Sequence, residues 1–106
     1  DPAQYQFDYI IEQTFFCAID PSRRSDYAKQ MQKLLKPTGK LVGVLLDKHF
    51  ESSPPFGGDK QEYETLFQQF FTIDKLVPCY NSIKPRQGSE LFFILSQKKV
   101  ENARIF

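Results

Sequence analysis

The sequence predicts an α/β domain: a sheet of mainly buried strands with helices on its faces and an antiparallel final strand pair. Three observations predict it. Phe7–Ile11, aromatic and β-branched apart from Asp8, and Leu41–Leu46, a continuous apolar run, read as strands buried on both sides of a sheet. Between them, Tyr27, Met31, Leu34 and Leu35 recur at helical spacing and form one apolar stripe. The last two apolar stretches, Phe71–Tyr80 and Leu91–Gln97, are joined by a connection in which no helix fits. Such strands pair antiparallel.

Taken in order, Asp1–Gln6 is a polar lead-in. The first strand ends in an abrupt change to Glu12-Gln13-Thr14, followed by Phe15-Phe16. In open α/β sheets ligands sit beyond the carboxyl ends of the strands, so this polar exit backed by aromatics is the first place to look for chemistry. Asp20 suits a helix cap and Pro21 the first helical position. Arg23, Arg24, Lys29 and Lys33 fall mostly off the apolar stripe and read as a solvated face. Lys36-Pro37-Thr38-Gly39 is expected to end the helix and turn the chain into the second, central strand. Strand, helix and strand make a right-handed βαβ unit.

Residues 47–59 lack periodicity and carry Ser52-Ser53-Pro54-Pro55-Phe56-Gly57-Gly58, a loop at a strand's carboxyl end that reads as a lid or substrate loop, or as a plain connector. Asp59 and Glu62 form a capping-box variant opening a second helix, whose stripe is Tyr63, Leu66, Phe67 and Phe70. Leu91–Leu95 is expected inside the sheet, between the second strand and an edge strand over Thr72–Tyr80. Lys98–Phe106 is a charged tail.

At 106 residues the chain fits one domain, and an aromatic content of 15% excludes disorder. A net charge of +1 argues against a nucleic-acid footprint. No apolar run approaches the roughly 20 residues of a membrane span, and no signal peptide opens the sequence. A cytoplasmic, soluble protein without nucleic-acid or membrane partners is the expectation. Cys17 and Cys79 read as buried free thiols, with a disulfide or catalytic thiol as the alternatives.

The segment Met31-Gln32-Lys33-Leu34-Leu35-Lys36-Pro37-Thr38-Gly39-Lys40-Leu41 is similar to the helix-to-strand turn of class I S-adenosylmethionine (SAM) dependent methyltransferases. Phe7-Asp8-Tyr9-Ile10, Phe15-Phe16-Cys17-Ala18-Ile19-Asp20-Pro21 with Arg24, Tyr27-Ala28 and Met31, Pro54-Pro55-Phe56, and Ile83-Lys84-Pro85-Arg86-Gln87-Gly88 narrow the match. Together they resemble the thiopurine S-methyltransferase family, in particular its halide/thiol methyltransferase branch, over nearly the whole chain. The resemblance implies a partial Rossmann-like sheet, strands four to seven of seven, with SAM as cofactor. The family's glycine-rich turn and ribose-binding acidic residue cannot be placed here: the five glycines are Gly39, Gly43, Gly57, Gly58 and Gly88. Residues 1–106 therefore read as the carboxyl-terminal half of one methyltransferase domain, inactive alone.

The same resemblance places Glu12, Gln13, Thr14 and Phe15 at the methionine end of SAM. It puts Phe16, Pro55, Phe56 and Arg86 toward a small acceptor such as a thiol, halide or thiopurine, with Lys84 in the same last loop as Arg86. It implies no catalytic acid or base and no metal. Other readings stand beside these. Glu12 and Thr14 could cap the nearby helix with Phe15 and Phe16 in the core, and Lys84 and Arg86 could lie in a solvated turn. His49 could sit near the lid or on an exposed loop. The competing function is a non-catalytic α/β interaction module. A first strand lacking its usual neighbour would offer an edge for dimerisation or a domain swap through Phe7–Ile11.

Overall fold

The computed structural model describes residues 6–49, 56–79 and 90–98. The elements are β1 (Phe7–Gln13), α1 (Arg24–Leu34), β2 (Leu35–Leu46), β3 (Lys48–His49), β4 (Gly57–Gly58), α2 (Lys60–Phe67), β5 (Phe71–Pro78) and β6 (Glu90–Gln97). Four strands form one sheet in the order β1-β2-β6-β5. β1 runs parallel to β2, with Ile10 opposite Leu41 and Gln13 opposite Val44. β6 is antiparallel to both β2 and β5 and lies between them, as its unbroken apolar run requires.

The helices begin where their local chemistry says they should. Asp20 Oδ1 accepts from the Ser22 amide at 2.9 Å and from its hydroxyl at 2.7 Å, opening a 3-10 turn over Pro21–Arg23 that leads into α1. Asp59 Oδ1 accepts from the Glu62 amide at 2.8 Å and caps α2. The reciprocal half of the capping box does not form, because the Glu62 carboxylate turns to His49 instead. At the far end of α1 the cap is supplied from β6: Gln97 Nε2 donates to the Gln32 and Leu35 carbonyls at 2.7 and 2.8 Å, satisfying acceptors that a helix end leaves open.

Both helices pack on one face of the sheet. Ala28, Tyr63 and Phe67 meet Leu41, Leu45, Leu91, Phe93, Leu95 and Phe71 in a single core. Phe67 sits 5.8 Å from Phe93 and 5.2 Å from Phe16, centroid to centroid. On the opposite face Val42, Val44, Phe92 and Ile94 are half-buried.

Two expectations change. Phe7–Ile11 is not buried on both sides: β1 is an edge of the described sheet, with Tyr9 68% and Ile11 74% exposed. An apolar run records that a strand's faces favour burial, not which neighbours cover them. The turn at Lys36–Gly39 lies inside a continuous strand pairing: Phe7 stands opposite Leu35 and Tyr9 opposite Lys40, so four residues bulge against Asp8 alone. Gly39 is required there, because a Cβ would lie 2.9 Å from the Phe7 and Asp8 carbonyl oxygens.

Candidate functional site at the exit of the first strand

At the carboxyl end of β1 the chain leaves the sheet through a sharp, fastened turn. Thr14 still donates its amide to Val44 O at 3.0 Å, but its φ of 57° is left-handed, an outlier for a β-branched residue. Its hydroxyl donates to the Gln13 carbonyl at 2.7 Å. The Cys17 amide donates to Thr14 O, closing a 3-10 turn over Phe16–Ala18.

Glu12 is 4% exposed and points inward. Its Oε1 accepts from the Phe16 amide at 2.9 Å and from the Tyr27 hydroxyl at 3.1 Å, while Oε2 is buried without a described hydrogen-bond partner. Desolvation raises its pKa, against the smaller opposing effects of Tyr27 and the amides of Phe16 and Phe15. Glu12 thus caps the turn that carries the aromatics, and its carboxyl is buried beneath that turn.

The two phenylalanines diverge. Phe15 is 60% exposed, its ring 5.7 Å from that of Tyr27. Phe16, expected to touch the acceptor, is a core residue only 2% exposed, because the 3-10 turn folds its ring under the helices. Phe56 is drawn to the same place: its amide donates to Cys17 O at 2.8 Å. The structure therefore brings Glu12, Gln13, Thr14, Phe15, Phe16 and Phe56 together. Pro55, Lys84 and Arg86 lie outside the described residues.

Arg24, read from the sequence as part of a solvated face, is the residue that spacing alone missed. It is 5% exposed, with its guanidinium 5.0 Å from the centre of the Phe16 ring. It donates to Ile19 O at 3.1 Å, Cys17 O at 3.3 Å and Gly57 O at 2.7 Å, tying the turn after β1 to β4. Its place among the residues that carry the family resemblance was the available signal.

Cys17 is buried and Cys79 half-buried, and neither is in a disulfide. The Cys17 thiol is in contact with the Tyr63 hydroxyl at 3.2 Å and accepts from the Leu46 amide at 3.1 Å; burial raises its pKa. That is a structural thiol, not a poised nucleophile. A groove of about 490 Å³ opens on the helix side, bordered by Phe16, Arg24, Asp59, Glu62, Tyr63 and Leu66.

A family model for thiopurine S-methyltransferase (TPMT) matches residues 1–100. The chain belongs to the thiopurine S-methyltransferase family. Among its relatives, the Arabidopsis thaliana protein named probable thiol methyltransferase 2 is 37% identical over 92 residues, 85% of this chain and 40% of that protein. Thiocyanate methyltransferase 1 of the same plant is 40% identical over 87 residues, 79% of this chain and 38% of that protein. The chain therefore spans about two fifths of the length of the curated relatives it matches. The fold agrees: 1,6-didemethyltoxoflavin-N1-methyltransferase of Burkholderia thailandensis, solved with S-adenosylhomocysteine, superposes with a TM-score of 0.72 at 12% identity, over 90% of this chain and 45% of that one. The sheet of this family member is thus part of a class I methyltransferase fold. None of its described helices is long and apolar enough to cross a membrane.

Proposed function

We propose that this chain is the carboxyl-terminal half of a SAM-dependent methyltransferase domain acting on a small soft nucleophile, a thiol, thiocyanate or halide. Its identity to plant thiol and thiocyanate methyltransferases carries the reading. The turn after β1 fits a sulfonium cofactor: an exposed aromatic ring at Phe15 and the Gln13 side chain offer a face and a dipole to a positive centre, while the Arg24 guanidinium is engaged beneath the turn by Phe16 and backbone carbonyls. Gln13, Thr14 and Phe15 would hold the cofactor's methionine end, with Phe56 and the loop carrying Pro55 and Arg86 toward the acceptor. SAM supplies an electrophilic methyl group.

The chain's own task is alignment. Glu12 fixes the turn from beneath through the Phe16 amide and Tyr27, so it is a positioning residue for Phe15 and not a contact. Phe16 acts likewise, as the core anchor under the turn. A soft anion needs no proton removed at the moment of attack, which suits an exit whose carboxyl is buried and occupied.

The test uses the full-length protein that carries this chain, incubated with SAM and iodide, thiocyanate or a small thiol, with S-adenosylhomocysteine release measured. Turnover with one of these and none with oxygen nucleophiles is expected. Phe15→Ala is expected to weaken SAM binding about tenfold in titration calorimetry, and binding of S-adenosylhomocysteine, which lacks the sulfonium charge, by less, at unchanged circular dichroism. Folded, cofactor-binding protein that turns over none of the soft nucleophiles would overturn the acceptor class.

The outer edge of β1 supports a second reading, about assembly. Among the described residues no strand lies beyond Phe7–Ile11, so the chain expressed alone would pair there with a second copy or swap strands.

A further inference from the structure

Where the β3–β4 pair meets the start of α2, at the same end of the sheet as the β1 exit, His49, Asp59 and Glu62 converge. Their donor atoms lie within 4.8 Å of one another. His49 Nε2 is 2.6 Å from Glu62 Oε1 and 3.2 Å from Asp59 Oδ2. One imidazole nitrogen carries at most one proton, so a single N–H is claimed by two carboxylate oxygens. A cation in place of that proton can bind all three donors at once.

We propose that His49, Asp59 and Glu62 form a binding site for a divalent transition-metal ion of the zinc class. The donor set is one imidazole and two carboxylates, a borderline-soft combination suited to such an ion and not to magnesium. Bonds of about 2.0–2.2 Å require donors roughly 3.3–3.5 Å apart in a tetrahedron, so the His49–Glu62 pair, at 2.6 Å, opens by about 0.7–0.9 Å, and the Asp59 and Glu62 oxygens, no more than 4.8 Å apart, close by at most about 1.5 Å.

The backbone holds the three donors in place before any ion arrives. His49 pairs with Gly57 across the β3–β4 ladder, which leads directly into Asp59. Asp59 uses Oδ1 to cap the Glu62 amide and leaves Oδ2 for the ion. Asp59 and Glu62 also border the 490 Å³ groove, so a fourth coordination position would face a space wide enough for water or a small ligand. The site is separate from the methyl-transfer reading and does not rest on it.

Untagged full-length protein, stripped with chelator, is titrated with zinc chloride at neutral pH, with magnesium chloride as the comparison. Saturable binding of one zinc is expected, weakened at least tenfold in His49→Ala and in Glu62→Gln. Cobalt chloride is expected to give the visible bands of a four-coordinate nitrogen and oxygen site, without the near-ultraviolet absorption that thiolate ligands from Cys17 or Cys79 would add. Both substituted side chains are exposed, and circular dichroism checks that each variant folds. No saturable zinc binding, or binding unchanged in both variants, would overturn the site and leave an ion-paired cluster only.

Discussion

Glu12 and Gly43 meet across the first two strands, and each limits what the other can become. A Cβ on Gly43 would lie 1.8 Å from the Glu12 carbonyl oxygen, a backbone atom that cannot swing away. Gly43→Ala is therefore expected to lower stability by about 1–3 kcal/mol, and to displace the turn that carries Phe15. Thermal unfolding beside S-adenosylhomocysteine titration would register both effects. Glu12 has a raised pKa because its charged form is desolvated, so the folded state holds the proton more tightly than the unfolded chain. The stability this contributes is present below the unfolded value near 4.5 and is lost as pH rises through the folded one. Glu12→Gln keeps an acceptor for the Phe16 amide and Tyr27 but has no charge to desolvate. It is expected to raise the unfolding temperature at pH 7–8, by more than any change at pH 4. An equal loss at both pH values would contradict this account of the carboxyl.

At the scale of elements, caps and crossings decide more than stripes do. Asp59→Ala removes the α2 cap and is expected to cost about 1 kcal/mol in chemical denaturation. Arg24 has the larger role, because three carbonyls from the turn after β1, the approach to α1 and β4 share its guanidinium. Arg24→Lys keeps the charge but cannot span all three acceptors. A loss of about 2–4 kcal/mol is expected, since each abandoned buried acceptor costs about 1–3 kcal/mol. A lysine variant as stable as the parent would remove Arg24 from its place as the fastener between β1 and β4.

The whole molecule has one covered sheet face and one that the described residues leave partly open. Tyr9 and Ile11 on β1 continue an apolar surface through Val42, Val44, Phe92 and Ile94. For the 106-residue chain expressed alone, sedimentation is expected to show concentration-dependent dimers, and Ile11→Lys to shift them toward monomer. A parent chain that stays monomeric at high concentration would exclude pairing through this edge.

The sequence by itself determined the order of the two helices and the four strands of the main sheet, the cap that opens α2 and the place of β6 inside that sheet. These depend on local chemistry and periodicity: an aspartate at a cap, a stripe at helical spacing, an unbroken apolar run. Tertiary structure alone decided that β1 lies at an edge of the described sheet, that Phe16 is core while Phe15 is exposed, and that Arg24 is buried. It also decided that His49 reaches across to Asp59 and Glu62. Each of these turns on which distant segment occupies the space beside a side chain, a relation that neighbours in sequence do not encode.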